Sequence, residues 1–327
     1  MVDKCQTVMT LPHPSAKVTG SRVPGQGPKQ RKGAQAGMNR IWTTSGPRRV
    51  LITGASSGIG EAFARVIAEE GGWEIALVAR SEEQLHRIAG ILHAEHETAT
   101  HVIPMDLAER DAPARLQERL EARGFEPDVL INNAGVGLAG AAAELPLQDQ
   151  MRLVDLNVRA ATELVLRFLP GMVARHRGGI INVSSMAAFM PGPGMAVYFA
   201  SKAYLLSFSE ALAEEVRREG LTVTALCPGP VRTRFIERAG MDRLPLARFM
   251  FKARPEQVAR AGWQGFKEGR AVVIPGLLNS LMAFAVRATP RALIRSSTHA
   301  LLRPPRRKAR TSPSHSPKEP DNPTPAD

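Results

Sequence analysis

From residue 48 onward, short β-branched strands alternate with helices, and this alternation limits the possible folds more than any other feature. The strand runs over residues 50–53 and 75–78 are almost wholly apolar, whereas a strand with one solvent face alternates apolar with polar residues. Continuously apolar strands joined by helices belong in a parallel sheet that is covered on both faces. Because such crossovers are right-handed, we predict an α/β fold, a doubly wound parallel sheet with helices on both faces.

Seven strands and six helices are predicted from this alternation. The strands are predicted over residues 50–53, 75–78, 101–104, 129–132, 180–184, 222–227 and 271–274. The helices between them are predicted over residues 61–70, 82–94, 113–123, 148–175, 198–219 and 255–267. No internal repeat of short period interrupts this order, so residues 48–275 are predicted to form one domain.

The two ends of the chain differ from this domain in composition. Residues 1–47 and 303–327 mix Gly, Pro, Ser and basic residues without apolar periodicity, so we predict that both are disordered. Residues 276–302 are predicted to add C-terminal apolar or amphipathic helices. Residues 1–37 have two interpretations, an organelle transit peptide or an extension upstream of a start at Met38. The short distance from Met38 to the first strand favours the second.

Charge and composition exclude several classes of protein. The net charge of +12 lies at the ends, because residues 50–286 carry 25 basic and 27 acidic residues, so no nucleic-acid partner is expected. Two cysteines cannot build a disulfide scaffold. The histidines at 93, 96 and 101 have no cysteine nearby, so no metal is expected. The N-terminus lacks an apolar signal segment, and a cytoplasmic location is predicted.

A glycine-rich loop joins the first predicted strand to the first predicted helix. Three glycines follow Thr53 with the spacing G-x3-G-x-G. Glycines at such a turn let the backbone approach a pyrophosphate, and a helix N-terminus offers free N–H groups to it. Gly-rich turns end many strands, but this position between a buried strand and a helix favours a nucleotide site. The predicted contacts are Gly54, Ser56, Ser57, Gly58, Ile59 and Gly60.

The residue after the second strand is expected to select the cofactor. An acidic residue there binds the ribose 2′-hydroxyl of NAD, whereas an arginine accommodates the 2′-phosphate of NADP. Arg80 stands at this place with no acidic residue before Glu82, which favours NADP (NADPH) over NAD. The alternative is a solvated arginine at the start of a helix. Further cofactor contacts are expected after the third and fourth strands, at Asp106, Leu107, Asn133, Ala134 and Gly135.

A phenol and an ammonium group share one face of a predicted helix. Tyr198 and Lys202 are four positions apart, and Tyr198 is one of only two tyrosines in the chain. Such pairs are common on helices, so this pair indicates a catalytic site only if other polar residues are expected nearby. Ser185 follows the preceding strand, 13 residues before Tyr198, and Asn157 lies in a helix further upstream.

Taken in order, these motifs resemble the short-chain dehydrogenase/reductase family. The resemblance rests on the glycine loop, the Asn-Asn-Ala-Gly segment, and the residues Asn157, Ser185, Tyr198, Lys202 and Pro228-Gly229. It covers roughly residues 48–275 and implies a Rossmann-type domain of the short single-domain subgroup. Extended members of the family usually have another glycine spacing and a larger C-terminal domain. The chain is similar to reductases of long-chain 3-oxoacyl groups and hydroxysteroid-type ketones.

The resemblance implies a role for each catalytic residue. Tyr198 would be the general acid in carbonyl reduction or the base in alcohol oxidation, and Lys202 would favour its phenolate and hold the nicotinamide ribose. Ser185 would bind the substrate oxygen, and Asn157 would hold a water in a proton relay. Ser184 is a rival to Ser185, but the 13-residue spacing favours Ser185. The implied cofactor contacts also include Tyr198, Lys202, Pro228, Gly229, Val231 and Thr233.

Apolar segments near the predicted site indicate the substrate class. Residues 235–251 are rich in Phe, Leu and Met, and residues 186–197 carry no charged side chain. The first of these either forms a substrate loop, which would suit an apolar carbonyl or alcohol, or a helix packed on the domain. Residues 277–286 and 292–302 are apolar or basic-amphipathic, and three interpretations are open for them: a peripheral membrane contact, an oligomer contact or a lid.

The leading hypothesis is an NADP-dependent oxidoreductase that interconverts a carbonyl and a secondary alcohol on a lipophilic substrate, such as a 3-oxoacyl, steroid-like or other apolar ketone. The family resemblance implies a homodimer or homotetramer, formed through the helices predicted over residues 148–175 and 198–219. The alternative is a dinucleotide-binding scaffold with a spent active site, tethered through basic tails. The intact catalytic set argues against this alternative.

Overall fold

The computed structural model describes residues 48–241 and 253–302. Within these ranges, parallel pairing joins the strands into one sheet with the order β3-β2-β1-β4-β5-β6-β7. The strands are β1 (Arg48–Thr53), β2 (Trp73–Ala79), β3 (Ala99–Pro104), β4 (Val129–Asn132), β5 (Gly179–Val183), β6 (Thr222–Leu226) and β7 (Val272–Val273). The prediction of a doubly wound parallel sheet is confirmed.

Helices connect the strands and follow the last one. They are α1 (Gly58–Glu70), α2 (Glu82–His96), α3 (Ala112–Glu121), α4 (Leu147–Val154), α5 (Ala161–Ala174), α6 (Ala196–Glu215), α7 (Arg234–Arg238), α8 (Pro255–Lys267), α9 (Leu277–Ala288) and α10 (Arg291–Leu302). None of the helices that the structure describes is long and apolar enough to cross a lipid bilayer. The predicted disordered ends, and residues 242–252 of the predicted apolar segment, lie outside the described ranges.

Two apolar layers cover the two faces of the sheet. On one face, Phe63 of α1 and Trp263 of α8 pack in a buried cluster with Val50 of β1. On the other face, Leu164 of α5 belongs to a cluster with Leu51, the next residue of β1. Because neighbouring residues of a strand point to opposite faces, each needs an apolar partner. This explains why the strands are apolar along their length rather than alternating.

The helix predicted over residues 148–175 is interrupted. A π-helical segment, Asp155–Ala160, lies between α4 and α5. This wider turn contains Asn157, which is only 1% exposed and bonds to the backbone of Val136. The strongly apolar residues on both sides of this turn favour a helix, and no local signal marks one inserted residue, so the sequence predicted one continuous helix.

Other predicted boundaries differ by a few residues. The helix predicted to reach residue 219 ends as an α-helix at Glu215, because a 3₁₀ turn, Arg217–Glu219, follows it and leads into Gly220. Gly220 has a φ of 76°, a left-handed conformation that ends helices. The fifth and sixth strands end one residue earlier than predicted, and β7 contains only Val272 and Val273.

Candidate active site

The sheet reverses its order between β1 and β4, and the glycine loop leaves the carboxyl end of β1 at this point. Ligands bind at such switch points in open α/β sheets. Gly54 and Gly58 have φ values of 65° and 62°, in the left-handed region that favours glycine. The second of these begins α1, so the loop places the free N–H groups and positive dipole end of this helix at the switch point.

Close packing against the loop after β4 also requires glycine here. A Cβ atom on Gly60 would lie 2.3 Å from the carbonyl oxygen of Gly54. Asn133 donates from Nδ2 to the carbonyl oxygens of Thr53, at 2.9 Å, and Gly54, at 3.2 Å. The Thr53 hydroxyl accepts from the backbone N–H groups of Asn133 and Ala134, both at 3.0 Å. These bonds hold the two loops together, and sequence reasoning missed the contribution of the Thr53 side chain.

A cavity of about 1060 Å³ lies beside the glycine loop. Three predicted cofactor contacts in the loop, Ser56, Ser57 and Gly58, line it together with Thr233. The arginines in its lining are Arg65, Arg87, Arg232 and Arg234. Because Glu61, Glu237 and Glu256 line the cavity too, its fit to the phosphates of a dinucleotide rests chiefly on the free backbone N–H groups of the loop. Ile59, by contrast, packs against the apolar layer beside α1 and serves the fold of the loop.

Arg80 is exposed directly after β2. It is not among the described residues that line the cavity beside the glycine loop. Two of the lining arginines, Arg65 and Arg87, donate to the same oxygen of Glu61, at 3.1 and 3.2 Å. The sequence pattern indicated only Arg80 as an arginine that could bind a cofactor phosphate. The structure places two further arginines at the cavity, one on α1 and one on α2, and both are paired with a carboxylate.

Asp106 and Leu107 follow β3 and face different surroundings. Asp106 accepts a hydrogen bond from the backbone N–H of Ala108 at 3.1 Å and forms an ion pair with Arg152. Leu107 is 4% exposed and packs in the apolar layer beside α5. The position after β3 therefore offers a polar group from Asp106, while Leu107 contributes chiefly to packing.

The structure separates the roles of the two neighbouring serines. The Ser184 hydroxyl is buried and donates to the carbonyl oxygen of Lys202 at 2.8 Å. The Ser185 hydroxyl accepts from the backbone N–H of Ala187 at 3.1 Å, and the Ser185 side chain neighbours the Tyr198 phenol. Ser184 thus fixes α6 to β5, and Ser185 is the serine that faces the phenol.

Tyr198 lies in an apolar environment. Its ring centroid is 5.7 Å from that of Phe235 and 6.0 Å from that of Phe199. Burial raises the pKa of Tyr198 to about 12, although the neighbouring Ser185 side chain acts in the opposite direction. The phenol is therefore protonated at neutral pH.

Lys202 is buried one helical turn from Tyr198. Its Nζ donates to the carbonyl oxygen of Val183 at 2.9 Å and lies 6.0 Å from the centroid of the Tyr198 ring. Burial lowers the pKa of Lys202 to about 8. The sequence led us to expect that this ammonium would favour the phenolate, but in this structure burial of the phenol is the larger influence on the pKa of Tyr198.

Asn157 connects the predicted catalytic residues to the loop after β4. Its Oδ1 accepts from the N–H of Val136 and its Nδ2 donates to the carbonyl oxygen of Val136, both at 2.9 Å. Nδ2 also donates to the Ser201 hydroxyl at 3.1 Å, and Ser201 donates to the carbonyl oxygen of Tyr198 at 2.7 Å. A Cβ atom on Gly135 would lie 3.2 Å from Asn157 Oδ1 and 3.5 Å from Lys202 Nζ.

The four predicted catalytic residues are thus brought to one edge of the sheet. Sequence reasoning did not give Ser201 a role, although its position three residues after Tyr198 puts both on one helix face.

The predicted cofactor contacts after β6 each lie against a different part of the protein. Thr233 lies against the glycine loop, because a Cβ atom on Gly58 would be 2.9 Å from its methyl carbon. The Pro228 carbonyl accepts from the N–H of Met186 at 2.9 Å. A Cβ atom on Gly229 would be 2.7 Å from Oδ1 of Asn279, so α9 lies close to this turn. Val231 is buried in the apolar layer beside α1, and no pattern in the sequence had indicated Asn279.

Residues 48–243 match the sequence model of the family described as short chain dehydrogenase. An oxidoreductase of Mycobacterium tuberculosis described as uncharacterized is 40% identical over 202 residues, which are 60% of this chain and 59% of that protein. The chain therefore spans less than two thirds of that relative. The very-long-chain 3-oxoacyl-CoA reductase of Anas platyrhynchos is 33% identical over 223 residues, which are 63% of this chain and 70% of that protein.

Two solved structures extend the comparison to bound nucleotides. A short-chain dehydrogenase from Sphingobium yanoikuyae in complex with NADPH is 32% identical, with a TM-score of 0.67, and the match covers 76% of this chain and 95% of that one. A short-chain dehydrogenase/reductase from Burkholderia phymatum in complex with NAD is 26% identical, with a TM-score of 0.66, and the match covers 73% of this chain and 92% of that one.

Proposed function

The chain belongs to the short-chain dehydrogenase family, and from this premise we propose that it is an NADP-dependent oxidoreductase that interconverts an apolar ketone and a secondary alcohol. The observation that carries the proposal is the placement of the Ser185 side chain beside the Tyr198 phenol, with Lys202 one helical turn away. A proton donor, a second hydroxyl and a buried cation meet near a loop suited to a dinucleotide.

Reduction of a ketone needs a hydride on carbon and a proton on oxygen. The nicotinamide cofactor supplies the hydride when it is bound. Tyr198 donates its hydroxyl proton to the carbonyl oxygen, and Ser185 holds that oxygen by a hydrogen bond as negative charge develops on it. Lys202, protonated below about pH 8, stabilises the phenolate that remains on Tyr198.

The protonation state of Tyr198 favours the reductive direction. A phenol with a pKa of about 12 is protonated at neutral pH and can act as an acid there. The same pKa makes it a weak source of base for alcohol oxidation. Oxidation therefore requires conditions that lower the pKa of Tyr198 or an alkaline medium.

The apolar surroundings of Tyr198 support a lipophilic substrate. A single cluster of buried and half-buried side chains surrounds the phenol, with residues from α4, α6, α7 and α10 and from the loops on either side. Its larger members are Leu138, Leu153, Met190, Met195, Phe199, Phe235 and Leu302. The relative from Anas platyrhynchos acts on very-long-chain 3-oxoacyl-CoA, which supports a long apolar group on the ketone. We expect kcat/KM to rise with the length of the alkyl chain in a series of 3-oxoacyl thioesters or methyl ketones.

Arg80 is the residue that we expect to discriminate between the two nicotinamide cofactors. Titration of the protein with NADPH and NADH, followed by nicotinamide fluorescence, should show at least about tenfold tighter binding of NADPH, which corresponds to about 1.4 kcal/mol. Arg80→Ala should remove most of this preference by weakening NADPH binding alone, because NADH has no 2′-phosphate.

Arg123→Ala is the matched control for Arg80. Arg123 follows the end of α3, a helix that runs back towards the amino-terminal edge of the sheet. Its substitution should therefore leave the affinities for NADPH and NADH unchanged. An unchanged preference in Arg80→Ala would assign the 2′-phosphate to another arginine. Binding of neither nucleotide would contradict the proposed function and favour the scaffold alternative.

The two neighbouring serines should respond differently to alanine. Ser185→Ala should lower kcat by roughly 10²–10³-fold, since it removes a donor to the developing oxyanion, with little change in stability. Ser184→Ala should lower the free energy of unfolding by about 0.5–1.5 kcal/mol, because the hydrogen bond from the Ser184 hydroxyl to the Lys202 carbonyl is lost. Steady-state kinetics and urea denaturation of both variants test this. A larger loss of kcat in Ser184→Ala would reverse the two assignments.

We also propose a homodimer or homotetramer formed through the long helices. Large apolar side chains are exposed on them, namely Leu147 and Met151 of α4, Leu166 of α5 and Tyr204 of α6. Burial of these side chains against a second copy would remove apolar surface from water. Light scattering on the purified protein gives the number of copies directly.

A further inference from the structure

α9 presents an apolar face that the rest of the described chain does not cover. Its buried residue is Ala283, and the side chains on the opposite side are Leu277, Leu281 and Phe284, which are 78%, 57% and 73% exposed. Their spacing of four and three residues places them on one face of the helix. Leu278 of α9 and Leu293 of α10 are also more than half exposed.

This face, which we term the α9–α10 apolar face, lies in a segment without acidic residues. Between residues 269 and 302 the sequence has no Asp or Glu. α9 and α10 carry three arginines, Arg287, Arg291 and Arg295, whereas Arg270 precedes β7 and forms an ion pair with Glu268. The sequence beyond the described residues continues this composition, with five Lys/Arg between residues 303 and 310.

The exposed leucines, together with Arg291 and Arg295, which form no ion pair within the described residues, decide which partner fits. A two-fold contact with a second copy brings the same patch from both chains together, so the arginines of one copy would face those of the other. An anionic lipid surface instead accepts the apolar side chains among its acyl chains and attracts the arginines to its headgroups. We infer that the α9–α10 apolar face docks on a membrane surface that contains anionic lipid.

The helices that carry this face also cover the catalytic edge of the sheet. Asn279 of α9 lies against Gly229, and the Arg287 guanidinium lies 5.5 Å from the centre of the Phe189 ring. At the end of α10, Leu302 is buried in the apolar cluster that contains Tyr198. Docking would therefore hold the catalytic site close to the bilayer. If the proposed function is correct, a ketone dissolved in lipid would have a short path to Tyr198.

Vesicle binding of the full chain tests this inference without cofactor or substrate. Co-sedimentation should show binding to phosphatidylcholine vesicles that contain phosphatidylserine, and much weaker binding to phosphatidylcholine alone, at an ionic strength of about 0.15 M. Leu281→Glu/Phe284→Glu should weaken binding to the anionic vesicles at least tenfold. Arg291→Glu/Arg295→Glu should weaken it and reduce its dependence on salt.

The matched control keeps the face apolar. Leu281→Met/Phe284→Leu should bind the anionic vesicles as the wild-type chain does, since apolar area is nearly conserved. Wild-type binding by Leu281→Glu/Phe284→Glu would overturn the inference, because the basic end of the chain would then account for binding alone. A fall in molecular mass of this variant in light scattering, without a change in vesicle binding, would assign the face to a second copy.

Failure of this inference is distinguishable from failure of the proposed function. Nicotinamide fluorescence reports cofactor binding with no vesicles present, whereas co-sedimentation needs neither nucleotide nor ketone. A chain that binds NADPH but no vesicle would refute the docking surface and leave the proposed reaction in place.

Discussion

Tyr198→Phe should lower kcat for ketone reduction by roughly 10²–10⁴-fold, the range that general acid catalysis supplies. The phenol is the proton donor in the proposed reaction, and the Ser185 side chain lies beside it. Phenylalanine keeps the ring against Phe199 and Phe235, so the apolar cluster and the affinity for nucleotide should change little. Steady-state kinetics and the fluorescence titration measure the two effects separately.

The second tyrosine of the chain provides the matched control. Tyr204 lies on the same helix, is 39% exposed and forms a hydrogen bond of 2.9 Å with the Thr162 hydroxyl. Tyr204→Phe removes the same atom from a position outside the site and should leave kcat nearly unchanged. Activity that survives Tyr198→Phe would exclude the mechanism, whereas equal losses in both variants would indicate damage to α6 rather than to the chemistry.

Lys202→Met should abolish most of the activity without loosening the fold. We expect kcat to fall by roughly 10²–10³-fold, because a charge that stabilises the phenolate is removed. Lys267→Met is the control. Lys267 lies on α8 and forms an ion pair of 2.9 Å with Glu70 of α1. Its substitution should leave kcat unchanged. In the wild-type chain, reductive activity should decline above about pH 8, where Lys202 loses its proton.

The stability of Lys202→Met should be equal to or higher than that of the wild type at pH 7. Burial lowers the pKa of Lys202 from 10.5 to about 8, a shift worth on the order of 3 kcal/mol against the folded state. The substitution removes this penalty but leaves the Val183 carbonyl without its donor, which costs about 1–3 kcal/mol. Urea denaturation at pH 7 gives the net effect, and a loss of several kcal/mol would show that the ammonium contributes to the fold.

The contribution of Lys202 to the free energy of unfolding depends on pH because the folded and unfolded chains bind its proton with different affinity. Below pH 8 Lys202 is protonated in both the folded and the unfolded chain, so the cost of burying its charge is constant. Between pH 8 and 10.5 the unfolded chain binds more protons at this site than the folded chain, so the contribution of Lys202 to stability rises with pH. The difference in unfolding free energy between wild type and Lys202→Met should therefore shift by roughly 1 kcal/mol towards the wild type from pH 7 to pH 9.

The parts of the fold that the sequence predicted well are those with a strong local signal. The helix over residues 255–267 and the strand over residues 129–132 have the predicted bounds, since apolar periodicity determines both. The residues that the sequence predicted to be catalytic lie close together, although their catalytic role stays a prediction. Parallel strands bring their carboxyl ends to one edge of the sheet, and Tyr198 and Lys202 share a helix face.

The features that the sequence did not predict depend on contacts between distant segments. The close approach of Asn279 to Gly229 joins α9 to the turn after β6, and no local pattern records it. The pKa of Tyr198 is set by the burial of its hydroxyl, which tertiary packing creates. The role of Ser184 became visible only when its hydroxyl was placed on the carbonyl of Lys202. In each case the contacts or the pKa of a polar side chain depend on segments that are distant from it in the sequence.

The geometry of the site depends on residue 157 remaining an amide. Both of its N–H donors are used, one on the Val136 carbonyl and one on the Ser201 hydroxyl. Hydrolysis of the amide would produce an aspartate of the same shape but without these donors. A carboxylate oxygen would then face the Val136 carbonyl, so attraction would become repulsion where the loop after β4 is held to the helices. Replacing this one amide by a carboxylate of nearly the same size would weaken the contact between the loop after β4 and the helices, while the β-sheet would keep its structure.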